Sequence, residues 1–392
     1  MEQLTQPKRN KDRRFFLGVD ARQLAAAYFL VATLIVIAAL LGREMSLINM
    51  AILSFMVLAA MGIGLWYLIF YGLRRAASGE FDLIARYFSW PAHSDSVNLS
   101  VGDDAALLDI SPNHQLTVSV DTLVPGVHFP IDTSPYDVGH KALSVNVSDI
   151  AAMGGEPRWF TLALTLPTYD TDWLEDFSAG LRAAAESYGV DLIGGDTTRG
   201  PQTISIQIMG ETPVSQALRR SAGQMGDILY TTATTGDAAA GLAIYLEQLP
   251  KLSAPEQYCL DRLNRPTARV AESRVIRDYA NACIDVSDGL LQDLSHILKA
   301  SGCGAIIYTD QVQFSPALKQ LHDPQQCLSF ALTGGDDYEL LFSVPQVKSK
   351  AFEQAMQQSG YTYQAIGKLT ANSGLIRDRQ GNPLTATGFQ HF

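Results

Sequence analysis

The chain has 392 residues, room for two or three domains, and a formal net charge of −11. Residues 1–78 hold nine Lys/Arg against four Asp/Glu, a net of +5, and the rest of the chain carries a net of −16. An acidic body excludes a nucleic-acid partner, whose affinity is built on neutralising phosphates with Lys and Arg, but it still admits a nucleotide bridged by divalent cations.

The first segment reads as a membrane hairpin. Residues 24–41 (LAAAYFLVATLIVIAALL) are uncharged, and a second uncharged stretch at 45–73 ends in LWYLIFYGL. Each passes the ~18 apolar residues that mark a transmembrane helix, so two spans are expected at about 24–41 and 47–73. Basic residues before the first span and Arg74 and Arg75 after the second put both ends in the cytoplasm, with the remaining chain at the inner face of the cytoplasmic membrane.

From residue 79 the pattern is α/β. Helical spacing covers 80–88, strand patterns cover 115–120 and 159–166, and a helix is expected at 178–188 followed by a strand and turn at 190–196. Strands at 204–209 and 229–232 follow. A helix at 289–300 has apolar residues at 290, 291, 294, 297 and 298, with Ser287 and Asp288 placed to cap it and leave its dipole facing an anion. A polar stretch at 213–223 divides this body into domains of 79–215 and 216–392. The four cysteines, at 259, 283, 303 and 327, match no zinc spacing and read as buried thiols of a reducing compartment.

Five acidic segments run through this body: GDD (102–104), SVDT (119–122), NVSD (146–149), GGDT (194–197) and DVSDG (285–289). Each sets an Asp beside small or hydroxyl residues, most of them at the end of a strand-like run, and Asp149 stands before an apolar helix start. A single such Asp is usually a turn or cap. Five with the same local chemistry point to hard-oxygen ligation of Mg²⁺ and metal-assisted phosphoryl transfer.

The ordered set GEFDLIARYF (79–88), VGDDAA (101–106), DTLVPGVHF (121–129), KALSVNVSDIAAMGG (141–155), LIGGDTTRG (192–200), IDVSDGL (284–290), LTGGDDYELLF (332–342) and GFQHF (388–392) resembles thiamine-monophosphate kinase, of the aminoimidazole ribonucleotide synthetase-like superfamily. The resemblance implies a two-domain α/β fold, a homodimer built on a shared β-barrel, and ATP bound in a cleft between subunits. It also implies direct, Mg²⁺-assisted phosphorylation of thiamine monophosphate by ATP to give thiamine diphosphate. By resemblance Asp104, Ser119, Val120 (through its carbonyl), Asp121, Asp149, Asp196, Asp285 and Asp288 hold several Mg²⁺ ions, and Asp121, Asp149 and Asp288 carry the catalytic burden. Gly195, Asp196, Arg220 and Ser287 contact ATP, and His128, Asp336 and Phe389 contact thiamine monophosphate.

Asp336 stands where the family usually has Glu, one methylene longer. Selenophosphate synthetase-like chemistry wants a reactive Cys near the N-terminus, and no Cys precedes 259. Carbamoyl-handling relatives use a C-terminal Cys, whereas this chain ends Gln390-His391-Phe392. A membrane-tethered ATP sensor that kept the fold is the non-catalytic alternative.

Overall fold

The computed structural model describes residues 80–388. The two expected membrane spans and Phe389 lie outside the described residues. Among the described residues no helix is long and apolar enough to cross a membrane.

Helix α1 (Glu80–Tyr87) opens the described chain, followed by two short paired strands, β1 (Val97–Leu99) and β2 (Leu107–Leu108). A four-stranded sheet comes next, built from β3 (His114–Leu123), β4 (Glu156–Leu166), β5 (Asp191–Arg199) and β6 (Thr203–Pro213) in the order β3-β6-β4-β5. Only β4 and β5 run parallel, because helix α3 (Thr171–Tyr188) crosses over between them. The expected helix at 178–188 is only the second half of α3. Asp170 accepts from the backbone N–H groups of Asp172 and Trp173, and so sets the start a turn and more earlier. The expected turn at Asp196 is also absent, since β5 continues to Arg199.

Helix α2 (Pro135–Ala152) starts at the Ser134 cap and Pro135, and packs on one face of this sheet. Most of its residues are buried, Lys141, Ser144, Asn146 and Ser148 among them, because it is covered on several sides. Its contact with α3 is close. A Cβ added to Gly180 would sit 1.9 Å from the Tyr136 carbonyl oxygen, and one added to Gly139 would sit 2.2 Å from that of Phe177. The two glycines let the helix backbones meet, which fixes the height of α2 above the sheet.

The second half has six strands: β7 (Ile228–Thr232), β8 (Ala282–Asp285), β9 (Gly304–Ile307), β10 (Leu340–Val344), β11 (Tyr363–Thr370) and β12 (Ile376–Asp378), in the order β12-β9-β11-β7-β10-β8. Alternation along β7 divides its faces. Tyr230 packs with Phe342, Phe352 and Tyr363 on one side, while Leu229 joins Ile284, Leu294 and Ile297 on the other. Helices α4 (Asp237–Glu247), α5 (Ala254–Asn264), α6 (Val270–Tyr279), α7 (Leu290–Ser301), α8 (Pro316–Leu321), α9 (Pro324–Thr333) and α10 (Gln346–Gln358) complete this half.

The largest apolar cluster runs from Leu83 through Ile150 and Phe177 to Tyr230 and Met356, so one continuous core spans both sheets. Polar ties reinforce the join at the C-terminal end of α2. Ser273 donates to the Ala151 carbonyl, Arg277 donates to that of Gly154 at 2.6 Å, and Arg274 pairs with Glu156. All four cysteines are buried free thiols, as their spacing predicted.

Gly180→Ala is expected to push α3 off α2 and cost about 1–3 kcal/mol by overpacking. Thermal unfolding checks this. A Tm equal to that of the parent would mean that the two helices are not in the close contact described.

Candidate active site

Helix α2 lies between the two sheets and offers adjacent side chains to each. Ser119, on β3, donates to Asp149 Oδ2 at 2.5 Å, and Ser148 donates to Asp285 Oδ2, at the end of β8, at 2.8 Å. Asn146, one turn earlier, accepts from the Asp121 backbone N–H at 3.0 Å while its own amide donates to the Ala142 carbonyl at 2.8 Å. Asp149 therefore stands near the C-terminal end of a helix, not before a helix start as its sequence context predicts. Helical spacing, rather than strand-end geometry, brings it to Asp121 and Asp285.

The carboxylates interact. Burial pushes Asp121 up to about 6, and the charges of Asp149 and Asp288 add to the shift. Burial likewise raises Asp149, while the Ser119 hydrogen bond and the Arg220 guanidinium pull it back. Asp285 is raised by burial and then by Asp149, against the Ser148 hydrogen bond. Asp121, Asp149 and Asp285, all raised chiefly by burial, with Asp288 beside them and a Ser and an Asn oxygen flanking, form a donor set that fits a hard divalent cation. Arg220 is itself exposed, in a short 3₁₀ turn at Arg220–Ala222, and its charge still reaches Asp149.

The turn at 285–289 differs from its expected form. Ser287 and Asp288 do not cap α7. Instead Asp293, inside the helix, accepts from the backbone N–H groups of Ser287, Asp288 and Gly289, each at 3.1 Å. Those three amides, which precede the helix, are therefore committed to an internal carboxylate. The result is a rigid turn that holds Asp288 beside Asp121.

Opposite this turn runs the loop before β10. The backbone N–H of Asp336 donates to the Ser287 carbonyl, and that of Tyr338 donates to the Val286 carbonyl, both at 2.8 Å. Neighbouring acids in GGDDYEL have separate tasks. Asp337 is buried and accepts from the Gly236 N–H at 2.7 Å, at the start of α4. Glu339 is buried against Arg262, Arg269 and Thr232. Asp336 alone remains partly exposed, and it pairs with buried Lys141 at 3.0 Å. His128 lies in the loop after β3, where its Nδ1 accepts from the Val124 N–H at 3.0 Å. The neutral ring therefore carries its proton on Nε2, which is a donor.

Two expected ligands stand apart from this group. Register aligns Asp121 with Ile206, Leu162 and Gly195 across the four strands, and aligns Thr122 with Ser205, Ala163 and Asp196 in the next row. Asp196 is thus on the other face of the sheet from Asp121, and at the opposite edge, three strand spacings or about 14 Å away. Val120 also points to that outer face, which leaves only its backbone for the site. Asp104 is exposed in the loop between β1 and β2, and its described contact is a local one, its N–H to the Asp103 carboxylate. Within the described chain, then, Ser119, Asp121, Asp149, Asp285 and Asp288 come together, while Asp104, Gly195 and Asp196 do not join them.

Sequence reading missed Lys141, Asn146, Ser148, Asp293 and Tyr338 as site residues. Helical spacing from Asp149 was the available signal for Asn146, and adjacency to Asp149 within NVSD for Ser148. Nothing local marks the other three.

Residues 102–212 match the family "AIR synthase related protein, N-terminal domain", and residues 224–378 match the corresponding C-terminal domain family. The chain is 47% identical over 321 residues to thiamine-monophosphate kinase of Escherichia coli (strain K12), covering 81% of this chain and 99% of that protein. Among solved structures, thiamine-monophosphate kinase from Stenotrophomonas maltophilia K279a superposes with a TM-score of 0.70 at 41% identity, over 74% of this chain and 93% of that one. AaThiL complexed with AMPPCP and TMP does so with a TM-score of 0.66 at 32% identity, over 75% of this chain and 92% of that one.

Raised carboxylate pKa values have a defined consequence for stability. The folded chain holds the Asp121 proton up to about 6, above the free value of 3.8, so the associated stability is present at low pH and lost as pH rises through about 6. Asp285, raised to about 8, extends the loss upward, so metal-free protein should lose Tm between about pH 5 and about pH 8, and Mg²⁺ should raise Tm more at the higher pH, where the acids are ionised. An equal Mg²⁺ effect at both pH values would contradict a cation seated on these acids.

Proposed function

The chain belongs to the thiamine-monophosphate kinase family, and from that premise we infer that it transfers the terminal phosphoryl group of ATP to thiamine monophosphate, giving thiamine diphosphate. The single observation that carries this reading is the meeting of Asp121, Asp149, Asp285 and Asp288 between two sheets, in a chain whose relatives are thiamine-monophosphate kinases over nearly their whole length. The complex of a similar protein with an ATP analogue and TMP supports both substrates.

Phosphoryl transfer asks a protein for positioning and charge neutralisation rather than covalent chemistry. The acceptor phosphate is already an anion, so no general base is required. Asp121, Asp149, Asp285 and Asp288, with Ser119 and the Val120 carbonyl beside them, would hold Mg²⁺. When bound, Mg²⁺ offsets the repulsion between the donor and acceptor phosphates and that among the acids. His128 presents its Nε2 proton to a phosphate oxygen, Arg220 brings a permanent positive charge close to Asp149, and Ser287 faces ATP. Asp336 takes the acceptor substrate, with Phe389 supplying an aromatic face to its cationic ring.

The outer face of β3 supports a homodimer. Leu116, Val118 and Val120 are 48%, 49% and 61% exposed there, on an edge strand of the sheet. Pairing two such faces into a barrel covers them. It also gives outward-facing Asp196, together with Gly195 and Asp104, a place in a nucleotide site completed across the interface. Residues 1–78 are proposed to anchor the enzyme at the inner face of the cytoplasmic membrane, on the strength of their two uncharged stretches. The Escherichia coli relative is matched almost entirely within 81% of this chain, which supports a chemistry that does not need the anchor.

Two measurements test these readings. ADP should form only when thiamine monophosphate is added, and Asp149→Asn should lower the rate at least ~10²-fold, the scale of one lost preorganised electrostatic contact. Activity close to the parent's would remove Asp149 from the site. In fractionated cells the full-length protein should resist extraction by high salt and require detergent, and its appearance in the soluble fraction would end the membrane proposal.

A further inference from the structure

Lys141 is the one described lysine whose side chain is almost fully buried, at 1% exposure, and it lies on the same helix as Asn146, Ser148 and Asp149. Its ammonium makes no well-directed hydrogen bond to any described residue. Its charge partner is the Asp336 carboxylate, 3.0 Å away and 31% exposed. A buried ammonium costs several kcal/mol unless it is paired, so helix α2 carries this residue at a penalty that an apolar side chain would avoid.

Asp336 is held from other directions as well. Its backbone is left-handed, with φ 67°, and so is that of Tyr338, with φ 53°. The hydrogen bonds from their N–H groups to Ser287 and Val286 keep both there. The Tyr338 hydroxyl donates to Asp336 Oδ1 at 3.2 Å, the same oxygen that faces Lys141. Two contacts thus converge on Oδ1, leaving Oδ2 to accept from something else. Non-glycine residues in left-handed conformation cost about 1–3 kcal/mol each and persist where the surroundings over-determine them.

We propose that Lys141 is a positioning residue for the acceptor substrate. Resting on the assignment of Asp336 to that substrate, it pairs with Asp336 Oδ1 and, with Tyr338, fixes the rotation of that carboxylate so that Oδ2 meets a donor or cationic group. An ionised carboxylate only accepts, so the group recognised bears an N–H or a positive charge. Thiamine monophosphate offers both, an amine on its pyrimidine and a cationic thiazolium. The ion pair crosses from α2 to the loop before β10, so the helix that carries Asp149 also sets the position of the group that selects the acceptor.

The test is a double-mutant cycle on the full-length protein, with KM for thiamine monophosphate and for ATP measured separately. Lys141→Met should raise KM for thiamine monophosphate about tenfold or more, the worth of a charge-assisted contact, with KM for ATP changed less than about twofold. In the Asp336→Asn background the same change should add little, because the group through which Lys141 acts is already neutral. Tyr338→Phe should shift the same constant in the same direction.

If Asp336→Asn alone leaves KM for thiamine monophosphate unchanged, the underlying assignment of Asp336 fails. If Asp336→Asn raises that KM but Lys141→Met does not, or if the two effects multiply, the positioning role fails while the assignment stands. Should Lys141→Met fail to fold, Lys141→Gln takes its place in the cycle. Failure of both to fold would show Lys141 to be a structural counter-ion and overturn the proposal.

Discussion

The hydrogen bonds from Ser119 to Asp149 and from Ser148 to Asp285 join three segments far apart in sequence through two neighbouring residues of one helix. Ser148 and Asp149 project from α2 about 100° apart, which lets one reach the end of β8 while the other faces β3. A loop could not hold both directions at once. The site therefore depends on a buried helix, and that helix depends on being covered by two sheets.

This explains polar residues that would otherwise be misplaced. Lys141, Ser144, Asn146 and Ser148 are all buried in α2, where an ordinary packed helix would show a polar outer stripe. Each has an identifiable partner: Asp336, the Tyr188 hydroxyl, the backbone of Asp121 and Asp285, respectively. Three of the four partners lie outside the neighbouring α2–α3 pair. The polar groups act as specific ties between elements, and the apolar cluster from Leu83 to Met356 supplies the burial that makes those ties costly to break.

Charge follows the same division. Four acids meet at the site, three of them raised chiefly by burial, whereas Asp293, Asp337 and Glu339, close by in sequence, are spent on structure. Asp293 closes a turn over three amides, Asp337 starts α4, and Glu339 binds two arginines. Acidic residues near one another in a motif are thus doing different jobs, and only their partners tell them apart.

From the sequence alone, the α/β character, most strand positions, the buried free thiols and the acidic motif set were legible, because hydrophobic period and local composition carry them. Ser119, Asp121, Asp149, Asp285 and Asp288 could be chosen as one chemical group by their shared flanking residues. Where they sit was not legible: Asp149 is on a helix rather than ahead of one, and Ser287 and Asp288 are capped by Asp293 rather than capping α7. Nor could sequence show that Asp196 faces away from Asp121, since which face a strand residue takes depends on register with three other strands. Lys141 had no local signal at all, because its meaning comes from Asp336, a residue that only tertiary packing brings beside it.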